Sequence, residues 1–326
     1  VAVFKENTSI TGSFRLGFSS GSGEQGALWY DSGSHAVKYI GLGFTSRNWS
    51  TGGDLTTGRV GLAGAGTQDA GLAFGGVPAT NLTEEYNGAT ESWSGGGNLG
   101  TGRCYLAGAG TQDAGLAFGG QTPTTVACTE EYNGGTNTWS TSSPGLDTAR
   151  TFLAGAGTQD AGLAIGGYVA PAAVACTEEY NGSTESWSIS SPGLSTARYG
   201  LAGAGTQDAG LAFGNVSSPR QQTEEYNGGT NTWASGGNLG TGRYYLAGAG
   251  TQNAGLAFGG LPTRTATEEY DGSAWASGPN LGTGRDLLAG AGTQAAGLAF
   301  GGRTPTTVAC TEEYTGVSPF ERELIL

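Results

Sequence analysis

LAGAGTQDAGLAFG, residues 62–75, returns five more times in this chain, beginning at Leu106, Leu153, Leu201, Leu246 and Leu288. The copies differ only at the residue after TQ and at one Phe-to-Ile exchange, Ile165. Their spacings are 44, 47, 48, 45 and 42 residues, and each is followed by TEEY and, except in the last, by a tryptophan. Self-similarity at this period marks a propeller or solenoid, in which each unit buries its faces only against its neighbours.

Within a unit the pattern is that of short strands. An arginine comes first (Arg59, Arg103, Arg150, Arg198, Arg243 or Arg285), and the LAGAG segment follows within three residues. A TQ-centred turn leads into GLAFGG, where Leu72 and Phe74 face one way and Ala73 the other, as alternation in a strand requires. TEEY, an NG or DG turn and a short Trp-bearing segment complete the set, and Asn-Gly or Asp-Gly between short β runs signals a hairpin. Four short strands in a unit of this length predict one propeller blade. The small residues of LAGAG suit the innermost strand, where blades converge.

Trp93, Trp139, Trp187, Trp233 and Trp275 end the first five units, and none follows the last TEEY. The missing partner stands at the other end, where Asn48-Trp49-Ser50 precedes TGGDLTTGR in the manner of a closing strand. The expectation is therefore an all-β, six-bladed propeller over residues 48–315, its ring closed near Trp49, which removes free sheet edges. Residues 1–47 read as an attachment segment carrying a short β-hairpin, ALWY and AVKY around DSGSH, and residues 316–326 as a C-terminal tail. A chain beginning at Val1 with no methionine also suggests that Val1 is not the translated start.

The order Arg, inner strand, Gly-Gly, Glu-Tyr-Asn/Asp-Gly and Trp resembles the kelch repeat across residues 49–314. The doublets are Gly75-Gly76, Gly119-Gly120, Gly166-Gly167, Gly259-Gly260 and Gly301-Gly302, with Gly214-Asn215 as the departure. Kelch-type propellers include enzymes, adaptors and lectin-like binders, so the resemblance implies a fold more than a task. It also implies inter-blade roles for the six arginines, through Arg–Glu bonds to TEEY. The GALWYDSGSHAVKY phrase resembles segments of bacteriophage tail-fibre and other virion structural proteins. Near-identical repeats with TEEYNG resemble those encoded by phages.

Composition excludes several partners. The formal net charge is −13 and the chain has two lysines, Lys5 and Lys38. No basic cluster is present for nucleic acid, and none for an anionic membrane surface. No apolar run approaches a membrane span. Cys128, Cys176 and Cys310 share one phase of the repeat and Cys104 another, which keeps them too far apart for disulfides and implies reduced thiols, compatible with assembly in a cytoplasm.

The chemistry-bearing residues point away from catalysis. Adjacent residues of a strand face opposite ways, so the two carboxylates of each TEEY cannot converge on one substrate. Asp69, Asp113, Asp160 and Asp208 lie one per blade, whereas Ca²⁺ needs six to eight oxygens about one centre; tight turns favour Asp in any case. The single histidine, His35, leaves no nucleophile–base pair in the propeller and no imidazole-rich metal site. The expectation is no enzyme, no cofactor and no metal.

Recognition falls to the loops between second and third strands, which vary in length and content while the TQ turns barely vary: residues 77–82, 121–128, 168–176, 216–222, 261–266 and 303–310. Loops on a rigid scaffold are where binding residues concentrate. Tyr168, Arg220, Arg264 and Arg303 are the candidates, because Tyr and Arg anchor interfaces disproportionately. The expected function is that of a virion structural or appendage protein, a tail fibre or surface decoration assembled in the host cytoplasm. Its N-terminal region would attach to other virion proteins and its loop face would contact a host-surface glycan or protein. Several copies per particle, or an oligomer, would add avidity. The alternative is a soluble kelch-type adaptor for a cellular protein; a polysaccharide-cleaving propeller working with carboxylates alone is a third class.

Overall fold

The computed structural model describes residues 27–31, 36–42, 47–316 and 319–324; the SITGSFRLGF stretch, the hairpin turn with His35 and the last two residues lie outside them. The chain divides into two compact units, Arg47–Thr315 and the pieces flanking it.

The larger unit is six four-stranded antiparallel sheets. Blade 1 consists of Ala63–Gly66, Gly71–Phe74, Thr83–Asn87 and Ser92–Gly95. Blades 2 to 5 repeat this order, with inner strands Ala107–Gly110, Ala154–Gly157, Ala202–Gly205 and Ala247–Thr251. Blade 6 takes Ala289–Gly292, Ala296–Phe300 and Thr311–Thr315 from the end of the chain and its fourth strand, Asn48–Thr51, from the beginning. Trp49 stands opposite Tyr314 there, as Trp93 stands opposite Tyr86 in blade 1.

AGAG is a poor strand former, and close packing compensates. A β-carbon on Gly108 would lie 2.6 Å from the Gly64 carbonyl oxygen and 2.6 Å from the Phe74 ring, so the inner strands approach to a distance that only glycine permits. The second strand supplies the core: Leu72, Ala73 and Phe74 are wholly buried. Six hydrophobic clusters follow, one between each pair of adjacent blades. Trp139 of blade 2 meets Phe74 of blade 1 at 5.0 Å between centroids, and Trp49 of blade 6 meets Phe258 of blade 5 at 5.1 Å.

Three polar contacts recur at every blade junction. The Gln of the TQ turn reaches the preceding blade, as when Gln159 Nε2 donates to the carbonyls of Gly115 (3.0 Å) and Tyr132 (2.7 Å). The Tyr of TEEY donates to the second Glu of the preceding blade, for example Tyr180 to Glu131 at 2.5 Å. The Trp indole donates to the Thr of the preceding TEEY, for example Trp187 to Thr129 at 2.8 Å.

The arginines require a correction. Their guanidinium groups do not bridge blades but bond within their own: Arg59 to Glu84 (2.9 Å), Arg198 to Glu224 (2.7 Å), Arg243 to Glu268 (2.9 Å) and Arg285 to Glu312 (2.9 Å), with Arg103–Glu130 and Arg150–Glu178 closer still. The side chain spans from the entry of the inner strand across the second strand to the third, so its partner lies in the same sheet. What crosses the junction is the arginine backbone: the Arg103 carbonyl accepts from Gly76 of blade 1 at 3.0 Å.

The smaller unit contains one described sheet, in which Ala36–Leu42 lies between Ala27–Asp31 and Pro319–Leu324, both antiparallel to it. The segment after residue 315 thus shares a sheet with the N-terminal hairpin. Among the described residues no helix is long and apolar enough to cross a membrane.

Candidate functional site

In an up-and-down blade the variable loops and the entries to the inner strands lie on one face, and the TQ turns lie on the other. On the loop face each blade opens with three positions: the buried arginine, a bridging residue and an axial residue. The axial residues are Gly61, Tyr105, Phe152, Gly200, Tyr245 and Leu287, and their backbones join head to tail around the axis. The amides of Tyr105, Phe152, Gly200, Tyr245, Leu287 and Gly61 donate to the carbonyls of Gly61, Tyr105, Phe152, Gly200, Tyr245 and Leu287 at 2.7, 2.9, 2.9, 2.8, 2.8 and 2.9 Å. The circle is complete.

All six axial residues are left-handed, with φ between 52° (Leu287) and 64° (Gly200). For Tyr105, Phe152, Tyr245 and Leu287 this conformation costs on the order of 1–3 kcal/mol each, and the closed amide circle holds them in it. Glycine at two positions has a further consequence. A β-carbon at Gly61 would lie 2.5 Å from the Tyr105 ring and one at Gly200 2.8 Å from the Tyr245 ring, so both rings lie over bare backbone.

The rings form one continuous aromatic surface. Tyr105 stacks on Phe152 at 4.1 Å and 25° between planes. Phe152 also meets Tyr245 at 5.4 Å and Tyr199 at 6.2 Å. Tyr199 meets Tyr168 at 5.1 Å, and Tyr245 meets Tyr244 at 5.1 Å. Beneath them the axial residues and the leucines that follow line a cavity of only about 70 Å³. Small-molecule pockets measure roughly 300–1,000 Å³, so a ligand here would rest on the rings rather than enter. Burial, with a smaller contribution from neighbouring tyrosines, raises the phenol of Tyr245 to about 12, and burial raises that of Tyr105. Both are neutral hydroxyl groups at physiological pH.

The four candidates read from sequence all lie around this mouth. Tyr168 forms an isolated antiparallel bridge with the bridging residue Thr151, exchanging backbone hydrogen bonds of 3.1 and 2.7 Å, and extends the aromatic surface through Tyr199. Arg220 donates from Nε to the Val216 carbonyl at 3.0 Å and lies 4.8 Å over the Tyr244 ring. Arg264 and Arg303 converge on one carboxylate: their Nε atoms donate to Asp286 Oδ2 (2.7 Å) and Oδ1 (2.8 Å). The Asp286 side chain is fully buried, whereas Arg264 and Arg303 are 35% and 41% exposed.

Sequence reasoning passed over Tyr105, Phe152, Tyr199, Tyr244, Tyr245 and Asp286. The signal was present: between the arginine and LAGAG the paired residues read VG, CY, TF, YG, YY and DL, variable inside an otherwise uniform phrase. Burial pushes the thiols of Cys104, Cys128 and Cys176 up, and all four cysteines are free. Among the described residues no three His, Cys, Asp or Glu side chains are grouped to hold a metal ion.

The protein is a six-bladed β-propeller with an asymmetric aromatic mouth on one face. No family model matches the chain, and no curated protein matches it. Its fold does have solved counterparts, 619 chains in all. One is the structure of YjhT, with a TM-score of 0.69, covering 82% of this chain and 99% of that one. At 14% identity the likeness establishes the fold alone.

Proposed function

We propose that this protein is a non-catalytic, kelch-type recognition module that serves as a virion structural or appendage protein, a tail fibre or surface decoration. The observation that carries recognition is the concentration of chemical variety on one face. Around the axial mouth and its loops the six blades differ in length and in Tyr, Arg and Asp content, while the turns at the other end vary little. Recognition of a host-surface glycan or protein fits a rigid scaffold displaying Tyr and Arg. Attachment to a particle rests on the resemblance of GALWYDSGSHAVKY to virion proteins, and it assigns the N-terminal region to contacts with other virion proteins.

The occupation of the acidic side chains supports a non-enzymatic role. The first Glu of each TEEY bonds an arginine, and the second accepts a tyrosine hydroxyl from the next blade. The net charge of −13 argues against nucleic acid and anionic membranes as partners. The second reading, a soluble adaptor, is favoured by the same Tyr and Arg surface, because these residues dominate protein interfaces.

Mass spectrometry of purified particles, with and without a stripping wash, tests the assignment. Retention at a fixed ratio to known structural proteins is the expected result. Absence from particles, together with recovery of a cellular protein in a pull-down, would replace it with the adaptor reading.

A further inference from the structure

The positive charge of the propeller is unevenly placed. Six arginines are buried against glutamates, and Arg47 pairs with Glu269 at 3.0 Å. The remaining three, Arg220, Arg264 and Arg303, stand on the loops of three successive blades, 4, 5 and 6, around the axial mouth. Arg264 and Arg303 are held in a fixed arrangement. Asp286 lies buried beneath them and takes one Nε–H from each; the Asp286 and Arg303 backbones also exchange hydrogen bonds of 3.1 and 3.0 Å. Neither guanidinium makes another side-chain hydrogen bond among the described residues, so their Nη–H groups are free on half-exposed side chains. Two cations over one carboxylate leave a net positive charge, and a guanidinium presents paired N–H groups that match a carboxylate or sulfate.

This clamp borders the aromatic surface. Asp286 is followed in the chain by the axial residue Leu287, whose amide donates to the Tyr245 carbonyl at 2.8 Å. The mouth thus offers flat rings with phenolic hydroxyls in its centre and an oriented anion clamp at its edge. A sugar ring has the matching form: a face of weakly positive C–H groups for the electron-rich aromatic faces, hydroxyls for the phenols, and, when oxidised or sulfated, a negative group for the arginines. A peptide anchor would need a pocket to fill, and the cavity of about 70 Å³ is too small for one.

We propose that the axial mouth binds an anionic saccharide, its ring on the Tyr105–Phe152–Tyr245 surface and its carboxylate or sulfate on Arg264 and Arg303. This rests on the recognition reading of the same face and names the ligand class. The net charge of −13 does not preclude it, because exposed charges beyond about 8 Å are largely screened at physiological salt.

The test is calorimetric titration of the full chain with three short probes: oligogalacturonate, a sulfated dextran oligosaccharide and neutral maltohexaose. At least one charged probe binds at least about tenfold more tightly than maltohexaose, and which one does so separates a carboxylated from a sulfated ligand. Variants can be copied from other blades to protect the fold. Asp286→Val with Arg303→Val reproduces the Val60–Val77 pair of blade 1, and Phe152→Gly reproduces Gly61 and Gly200. Arg264→Gln leaves Asp286 paired with Arg303. The double variant and Phe152→Gly each lower affinity by about tenfold or more, and Arg264→Gln lowers it for the charged probe alone, with melting temperatures retained. Equal binding of all three probes, no binding of either charged probe, or clamp variants that bind as the parent does would each overturn the proposal. A chain that stays on particles and adheres to host cells yet ignores both charged probes would keep the recognition role and lose this ligand.

Discussion

Single side chains in this propeller hold sheets together through contacts repeated six times. Arg150 and Glu178 are both fully buried, so replacing Arg150 by Leu strands a carboxylate in the interior and costs about 3–5 kcal/mol. Replacing Glu178 as well relieves most of that loss. Denaturant titration of the two singles and the double decides it, and equal losses for R150L and R150L/E178L would show that the uncompensated charge is not the cause. Gln159→Ala removes two bonds to carbonyls of blade 2 and lowers stability by about 1–3 kcal/mol in the same assay. These roles differ in how far they can be read from sequence. Strand alternation is enough to send Glu84 and Glu85 to opposite sides, one to Arg59 and the other to Tyr132. The reach of Arg59 within its own blade depends on how three strands lie side by side. Gln159 in a TQ turn looks like any polar turn residue until the neighbouring blade is in place.

Among the elements, the strand Asn48–Thr51 is the one on which the ring depends. It brings no buried face of its own, only Trp49 half-buried against Phe258 and Tyr314 at 5.1 and 4.9 Å, with its indole donating to Thr267 at 3.0 Å. Trp49→Ala lowers stability by about 3 kcal/mol. Deleting residues 1–51 lowers the melting temperature further by exposing the edge of Thr311–Thr315; an unchanged melting temperature after the deletion would refute closure by this strand. The closure was legible because five units contain their own tryptophan and the sixth does not. The pairing of Pro319–Leu324 with Ala36–Leu42 was not, since nothing in those two short segments specifies each other across almost the whole chain. The axial mouth was hidden for a related reason: Tyr105, Phe152 and Tyr245 lie in different units, and only ring closure brings them to one axis.

At the scale of the whole molecule, six equivalent Tyr–Glu contacts link the blades into a circle, and their titration makes stability depend on alkaline pH. Burial and the hydrogen bond to Glu225 together raise the phenol of Tyr270 to about 12, because a phenolate there would face a carboxylate. The phenols of Tyr86, Tyr132, Tyr180, Tyr226 and Tyr314 are raised for the same two reasons, each next to a glutamate of the preceding blade. In the unfolded chain a tyrosine ionises near 10. Between that value and the folded one, the folded state holds protons that the unfolded state has released, so stability declines as pH rises. The contribution is fully present below about pH 10 and is lost as pH climbs through about 12 and beyond. Because every blade packs on two neighbours in a closed ring, loosening one junction weakens the next, and the loss is cooperative rather than stepwise. Denaturation midpoints measured at pH 8, 10, 11 and 12 should be level over the first interval and fall steeply over the last. Tyr270→Phe, which cannot ionise, should be less stable than the parent at pH 8 and lose less on going to pH 12. A midpoint constant to pH 12 in the parent would mean that these hydroxyls are not buried against carboxylates at the blade junctions.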